Sequence, residues 1–134
     1  NGVKEYMDEQ VENAQNNGFV TTLFGRKRYI PELKSKNYMV REFGKRVAMN
    51  SPIQGTAADI IKIAMNKVHT ALKKEYPESK LILQVHDELI ISARDKDVEG
   101  IKELLISNME NAAKLAVELT CDMNCGSSWY ELKD

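Results

Sequence analysis

Apolar positions alternate between helical and strand spacing along the chain, and each change of spacing predicts an element boundary. Over residues 3 to 17, Val3, Tyr6, Met7, Val11 and Ala14 make one weak helical stripe in an otherwise polar segment. Asn16-Asn17-Gly18 is a stop signal, because Asn and Gly tolerate the left-handed backbone that ends helices. Phe19-Val20-Thr21-Thr22-Leu23 reads as a short strand, Phe24-Gly25 as its turn, and Arg28-Tyr29-Ile30 as a second extended run closed by Pro31. Together they predict a hairpin.

From about Ser35 to Asn50 the spacing is helical again, with a thin stripe of Tyr38, Met39, Phe43, Val47 and Met49. Ser51-Pro52 predicts an interruption, since proline removes a donor and disfavours helical geometry in the residue before it. Ser51 as N-cap, or Thr56 and Asp59 spaced as a capping box, would restart the helix. A kink or short loop is therefore expected near residues 51–55. The strongest helical pattern follows, with Ala57, Ile60, Ile61, Ala64, Val68, Ala71 and Leu72 on one face, stopping before Tyr76-Pro77. Leu81-Ile82-Leu83 and Leu89-Ile90-Ile91 predict a buried hairpin within residues 80–94. Asp95 or Asp97 is expected to cap a last helix burying Val98, Ile101, Leu105, Met109, Ala112, Ala116 and Leu119. Thr120 to Asn124 reads as extended, and Gly126-Ser127-Ser128 opens a terminal turn carrying Trp129 and Tyr130. The expected fold class is α+β: a small, mainly antiparallel sheet packed on long helices, with the basic helix at one side.

Composition adds bounds. With 134 residues, 43% of them hydrophobic and 29% charged, the chain suits one domain with a real core. No apolar run approaches the ~20 residues that cross a bilayer, so no membrane partner is expected, and no signal-peptide pattern opens the chain. Asn1 stands inside a helical pattern, which predicts a piece of something longer. A formal net charge of −1 gives no global attraction to nucleic acid. Yet residues 26–46 hold eight Lys or Arg (Arg26, Lys27, Arg28, Lys34, Lys36, Arg41, Lys45, Arg46) against Glu32 and Glu42. Such a stretch attracts phosphate. Cys121 and Cys125 are too few for a disulfide framework and have no nearby His to complete a zinc site, so two reduced thiols of a cytosolic protein are expected.

The corner Gln84-Val85-His86-Asp87-Glu88-Leu89 carries the candidate chemistry. Tight hairpin turns favour Asn-Gly or Asp-Gly, because their central residues need positive φ. This one holds an imidazole and two carboxylates. Charged groups between apolar strands cost several kcal/mol unless paired or at a surface, so the corner is either solvent-exposed or holds a cation. Adjacent strand residues face opposite ways, and Asp87 and Glu88 can grip one ion only if the turn breaks that alternation. Mg²⁺ takes one or two protein carboxylates plus waters and substrate phosphates, and two-metal phosphoryl transfer sets its ions ~3.5–4 Å apart. Asp87 is half of such a site. Asp59, Asp95, Asp97 and Asp122 do not stand in a second apolar strand facing it. His86 fits a solvated turn, a general base, a metal ligand or a nucleic-acid contact, and His69 has no assigned role. Arg41, Lys45, Arg46, Asn50 and Gln54 form a polar path along one helix. A solvated face has this composition, and so does a nucleic-acid face, where Arg forks onto phosphate and Asn or Gln reaches base edges or sugars. Arg26-Lys27-Arg28 reads as an exposed loop.

Three ordered segments resemble the family A DNA polymerases, the bacterial DNA polymerase I type. Residues 84–89 resemble motif C, Thr22-Leu23-Phe24-Gly25-Arg26-Lys27-Arg28-Tyr29-Ile30-Pro31 resembles the segment after the fingers, and residues 46–62 resemble the long palm helix pair. Gly126-Ser127-Ser128-Trp129 matches the closing segment less closely. The resemblance implies a role for each position. Asp87 would be the catalytic aspartate and a ligand of two Mg²⁺ ions, with Glu88 as its supporting carboxylate and His86 near the primer terminus. Arg46, Asn50 and Gln54 would line the DNA minor groove near the new base pair, and Arg41 would contact the template strand or its phosphates. Expected partners are primer-template DNA, deoxynucleoside triphosphates and the remainder of the polymerase chain, in the bacterial cytoplasm at the nucleoid. Motif A, with the second aspartate, and the fingers helix have no counterpart in residues 1–134. The chain thus resembles the C-terminal palm portion of a DNA-directed DNA polymerase, a nucleotidyltransferase of DNA replication and repair, expected to be inactive alone. The competing expectations are a non-catalytic nucleic-acid-binding module and a structural domain with a solvated basic stretch.

Overall fold

The computed structural model describes residues 2–133. It divides into two units, Asn1–Asp59 and Ile60–Asp134.

In the first unit, helix α1 (Gly2–Asn17) ends where Gly18 takes a φ of 80° and its N–H donates to the Ala14 carbonyl at 2.8 Å. Glycine adopts that conformation without penalty. Only the C-terminal end of the α1 stripe is covered: Ala14 is buried and Val11 packs beside it, while Val3 is exposed. Strand β1 (Phe19–Thr21) pairs antiparallel with β2 (Lys27–Tyr29), with Phe19 opposite Tyr29. Those two rings meet edge-on at 5.6 Å, and the Lys27 ammonium lies 4.5 Å from the Phe19 centroid. The hairpin is as expected, but Arg26-Lys27-Arg28 is not a free loop, because Lys27 and Arg28 belong to β2. Ala14, Val20, Ile30 and Ala48 close this unit's core.

A 3-10 turn, Pro31–Lys34, leads to helix α2 (Tyr38–Glu75). The helix starts three residues later than expected, where the Asn37 side chain accepts the Met39 N–H at 2.9 Å. The break expected at residues 51–55 does not occur, and α2 runs on across Pro52. Proline inside a helix costs about 3 kcal/mol or more, so tertiary contacts must hold this stretch. Pro52 is buried, and the β1–β2 hairpin supplies hydrogen bonds to the turn that follows it. Ser51, Thr56 and Asp59 are accordingly interior residues rather than caps. Tyr38, Met39 and Phe43 are exposed, so the stripe read there is not a buried face.

In the second unit, Ala64, Val68 and Leu72 of α2 form a core with Leu89, Ile101, Leu104, Leu105 and Ala112. Val68 and Leu72 are fully buried, which stabilises by about 1.5–3 kcal/mol each. Ala57, placed on the same stripe by spacing, is exposed. Strand β3 (Lys80–Val85) pairs antiparallel with β4 (Glu88–Ser92). Leu81 lies opposite Ile91 and Leu83 opposite Ile90, leaving Ile82 as an extra, bulged residue. The expectation of a buried hairpin holds for one face only. Leu81, Leu89 and Ile91 join the core, whereas Ile82 is 59% and Leu83 40% exposed.

A 3-10 turn, Asp95–Asp97, precedes helix α3 (Val98–Glu110). Asp97 does not cap it by its side chain, which pairs instead with Arg94 at 2.8 Å. The helix stops well short of Leu119, and its open end is capped by side-chain donors. Lys67 of α2 donates to the Asn111 carbonyl at 2.6 Å and the Ala112 carbonyl at 3.5 Å. Asn108 and Asn111 also turn their amides back onto the Leu104 and Ser107 carbonyls. Ala112 stays buried, but Ala116 is exposed and Leu119 half-buried. Residues 120–125 join no strand, so the described residues hold two separate two-stranded sheets. Cys121 and Cys125 are free thiols. The chain closes with the turn Trp129–Lys133. No described helix is long and apolar enough to cross a membrane.

Candidate functional site

The second unit presents the acidic corner. Val85 and Glu88 are a strand pair, so His86 and Asp87 alone make the turn. His86 has a φ of 53°, and among the described residues no other non-glycine residue is positive. Hairpins place glycine where the first turn position needs such a φ. A side chain there costs about 1–2 kcal/mol, and strain of this kind gathers at functional sites. The Gln84 side-chain amide braces the turn by donating to the His86 carbonyl.

His86, Asp87 and Glu88 are all exposed, and no described residue hydrogen-bonds or pairs with either carboxylate. The turn brings the three residues together without fusing the acids into one claw, because strand alternation sets Glu88 on the face opposite buried Leu89. Among the described residues no cluster of three or more His, Cys, Asp or Glu could hold a metal. The donor set therefore fits a hard divalent cation in part: Asp87 offers one oxygen ligand beside Glu88, with the remaining ligands to come from elsewhere.

The first unit presents the basic groove. The unbroken α2 sets Arg46, Asn50 and Gln54 four residues apart on one stripe, spanning about 12 Å at 1.5 Å per residue. The Arg46 guanidinium lies 5.9 Å from the Phe43 ring, and Asn50 is open to solvent. Gln54 lines a groove of about 160 Å³ with Val20, Thr21, Arg28 and Ser51 among its walls. Two members of the polar path lie elsewhere. Arg41 donates to the Ser35 and Lys36 carbonyls, both at 2.9 Å, and Lys45 pairs with Glu42 at 2.7 Å.

Sequence reasoning missed what fastens the groove. Arg26 Nε donates to Asp59 Oδ1 at 2.7 Å and Arg26 Nη2 to the Gly55 carbonyl at 3.0 Å. Thr56 Oγ1 accepts the Leu23 N–H at 2.9 Å and donates to the Pro52 carbonyl at 2.6 Å. Gly55 permits this approach, since a Cβ there would sit 2.6 Å from Thr22 Cγ2. The available signal was the pair Pro52 and Gly55, two helix-weakening residues that only an outside brace lets a helix keep.

The family model described as DNA polymerase family A matches residues 1–131. The chain belongs to DNA polymerase family A. Relatives in the family include DNA polymerase I of Caldicellulosiruptor bescii, 53% identical over 131 residues. DNA polymerase I of Bacillus subtilis is 49% identical over 132 residues. Each match covers 98% of this chain and 15% of the relative, so the chain spans about a seventh of their length. Among solved structures, the POL domain of Pol1 from M. smegmatis, in complex with DNA primer-template and dNTP, superposes with a TM-score of 0.85 at 44% identity. That match covers 88% of this chain and 21% of the other.

Proposed function

We propose that residues 1–134 are the C-terminal palm portion of a DNA-directed DNA polymerase that adds deoxynucleotides to a primer 3′ end in DNA replication and repair. The carrying observation is Asp87: an exposed carboxylate at a strained, braced turn, in a chain of family A. The relatives' names and the DNA and dNTP held by the solved Pol1 domain support the reading.

Asp87 and, behind it, Glu88 offer hard oxygen ligands suited to Mg²⁺. When bound, two such ions would supply activation of the primer 3′-hydroxyl and charge neutralisation at the triphosphate. Asp87 holds the negative charge that draws the ions to the corner, and Glu88 adds to the field from the next position. His86 faces the primer terminus. Arg46, Asn50 and Gln54 follow the minor groove, where acceptors shared by all base pairs let geometry be checked without reading sequence. Arg41, held by the Ser35 and Lys36 carbonyls, approaches the template strand through its remaining donors. The second aspartate and the fingers belong to the remainder of the polymerase chain, and the protein works in the bacterial cytoplasm at the nucleoid.

Primer extension tests this reading. The purified 134-residue chain, with Mg²⁺ and four deoxynucleotides, should extend no primer, and extension should appear once the preceding polymerase segment is supplied. Steady extension by the chain alone contradicts the proposal. So does failure to extend with the segment present while primer-template DNA still binds, which instead marks a non-catalytic DNA-binding module.

A further inference from the structure

We infer that Arg26 is a positioning residue that sets the register of Gln54 against its DNA ligand, an inference that rests on the DNA-binding reading of Gln54 given above. Gln54 stands between Pro52 and Gly55, so the turn of α2 that carries it is the turn least able to hold its own shape. Proline 52 has no N–H to give to the Ala48 carbonyl, and Gly55 has no side chain to stiffen the backbone. The hairpin takes over both tasks. Arg26 bridges the Gly55 carbonyl and the Asp59 carboxylate, so one planar guanidinium spans the turn just past Gln54. Thr56, tied to Leu23 on one side and Pro52 on the other, closes the same turn from below.

The bridge has a stabilising part and a directing part. The Arg26 side chain is 52% exposed but the Asp59 side chain only 12%, so the bridge serves a largely buried carboxylate. It also fixes direction: two donors of a rigid fork meet two acceptors four residues apart on the helix. The groove wall that carries Gln54 is thereby locked to the wall that carries Arg28. A polar side chain that must meet a minor-groove acceptor needs its backbone placed to a fraction of an ångström, and loosening its turn loses that hydrogen bond without removing the group.

The test is a double-mutant cycle in the full-length polymerase, reading the ratio of extension from matched and mismatched primer termini. Arg26→Lys keeps the charge but cannot bridge both acceptors, and Asp59→Asn keeps the shape but weakens one of them. Each should lower the ratio by about five- to tenfold, the worth of one hydrogen bond to DNA. Neither should lower it further in a Gln54→Ala background, with the ratio read well below each variant's melting temperature, because weakening a partner of the largely buried Asp59 carboxylate costs stability. If Gln54→Ala lowers the ratio while both Arg26→Lys and Asp59→Asn leave it unchanged, or add to the Gln54→Ala effect, the positioning role is wrong and the DNA-binding reading stands. If Gln54→Ala itself has no effect, that reading fails and the positioning role falls with it.

Discussion

Gln84 holds His86: its side-chain amide donates to the His86 main-chain carbonyl, bracing the one non-glycine residue with positive φ among those described. Sequence and geometry agree that this turn is kept against a local cost. His86→Gly should relieve about 1–2 kcal/mol of left-handed strain against about 0.4–1 kcal/mol of added chain entropy. The expected net gain is about 0.5–1 kcal/mol in urea denaturation, while Gln84→Ala should lose about 1 kcal/mol. A destabilised His86→Gly variant would mean that the imidazole itself supports the turn.

Lys67 sets the end of α3 by capturing the Asn111 and Ala112 carbonyls. In Lys67→Met those carbonyls lose their cap, leaving the N–H groups of residues 115 and 116 as their nearest substitutes in chain order. The segment Ala113-Lys114-Leu115-Ala116-Val117-Glu118-Leu119 has good helix formers, so α3 should grow by about two turns. Backbone chemical shifts across residues 112–118 read this directly. A helix still ending at Glu110 would show that the two Asn side chains stop it unaided.

Glu131 ties the terminal turn by accepting the Ser127 N–H at 2.7 Å and the Ser127 hydroxyl at 3.0 Å. Those bonds favour its ionised form and hold its carboxyl below the ordinary value of 4.5. A lowered folded pKa stabilises above the unfolded value and loses that stabilisation as pH falls through the folded one. Fluorescence of Trp129, the sole tryptophan, should therefore change below about pH 4.5 and shed that step in Glu131→Gln. An identical pH profile in the variant would refute the link.

The elements that sequence made legible were those whose own spacing decided them. The Val68-Leu72 face of α2 and the two runs flanking His86-Asp87 formed where periodicity put them, and the first hairpin turns one residue earlier than Phe24-Gly25, over Leu23-Phe24. What stayed hidden depended on partners far along the chain. Pro52 remains helical because Thr56 meets Leu23 and Arg26 meets Gly55, and the end of α3 is capped by Lys67. No local rule sees a hydrogen bond that spans 29 to 45 residues. The proposed site divides the same way: residue type alone left Asp87 and Gln54 open between a solvated and a functional reading, and the Arg26 bridge was invisible to it.

The central claim is that Asp87 carries the chemistry, and one substitution tests it most directly. In the full-length polymerase, Asp87→Ala should reduce kcat for primer extension by at least about 10³-fold, since on the proposed reading it removes a carboxylate that would place the catalytic cations. Affinity for primer-template DNA should change by less than about tenfold, because phosphate and groove contacts supply most of it. Extension at wild-type rate by the Asp87→Ala enzyme would contradict the account.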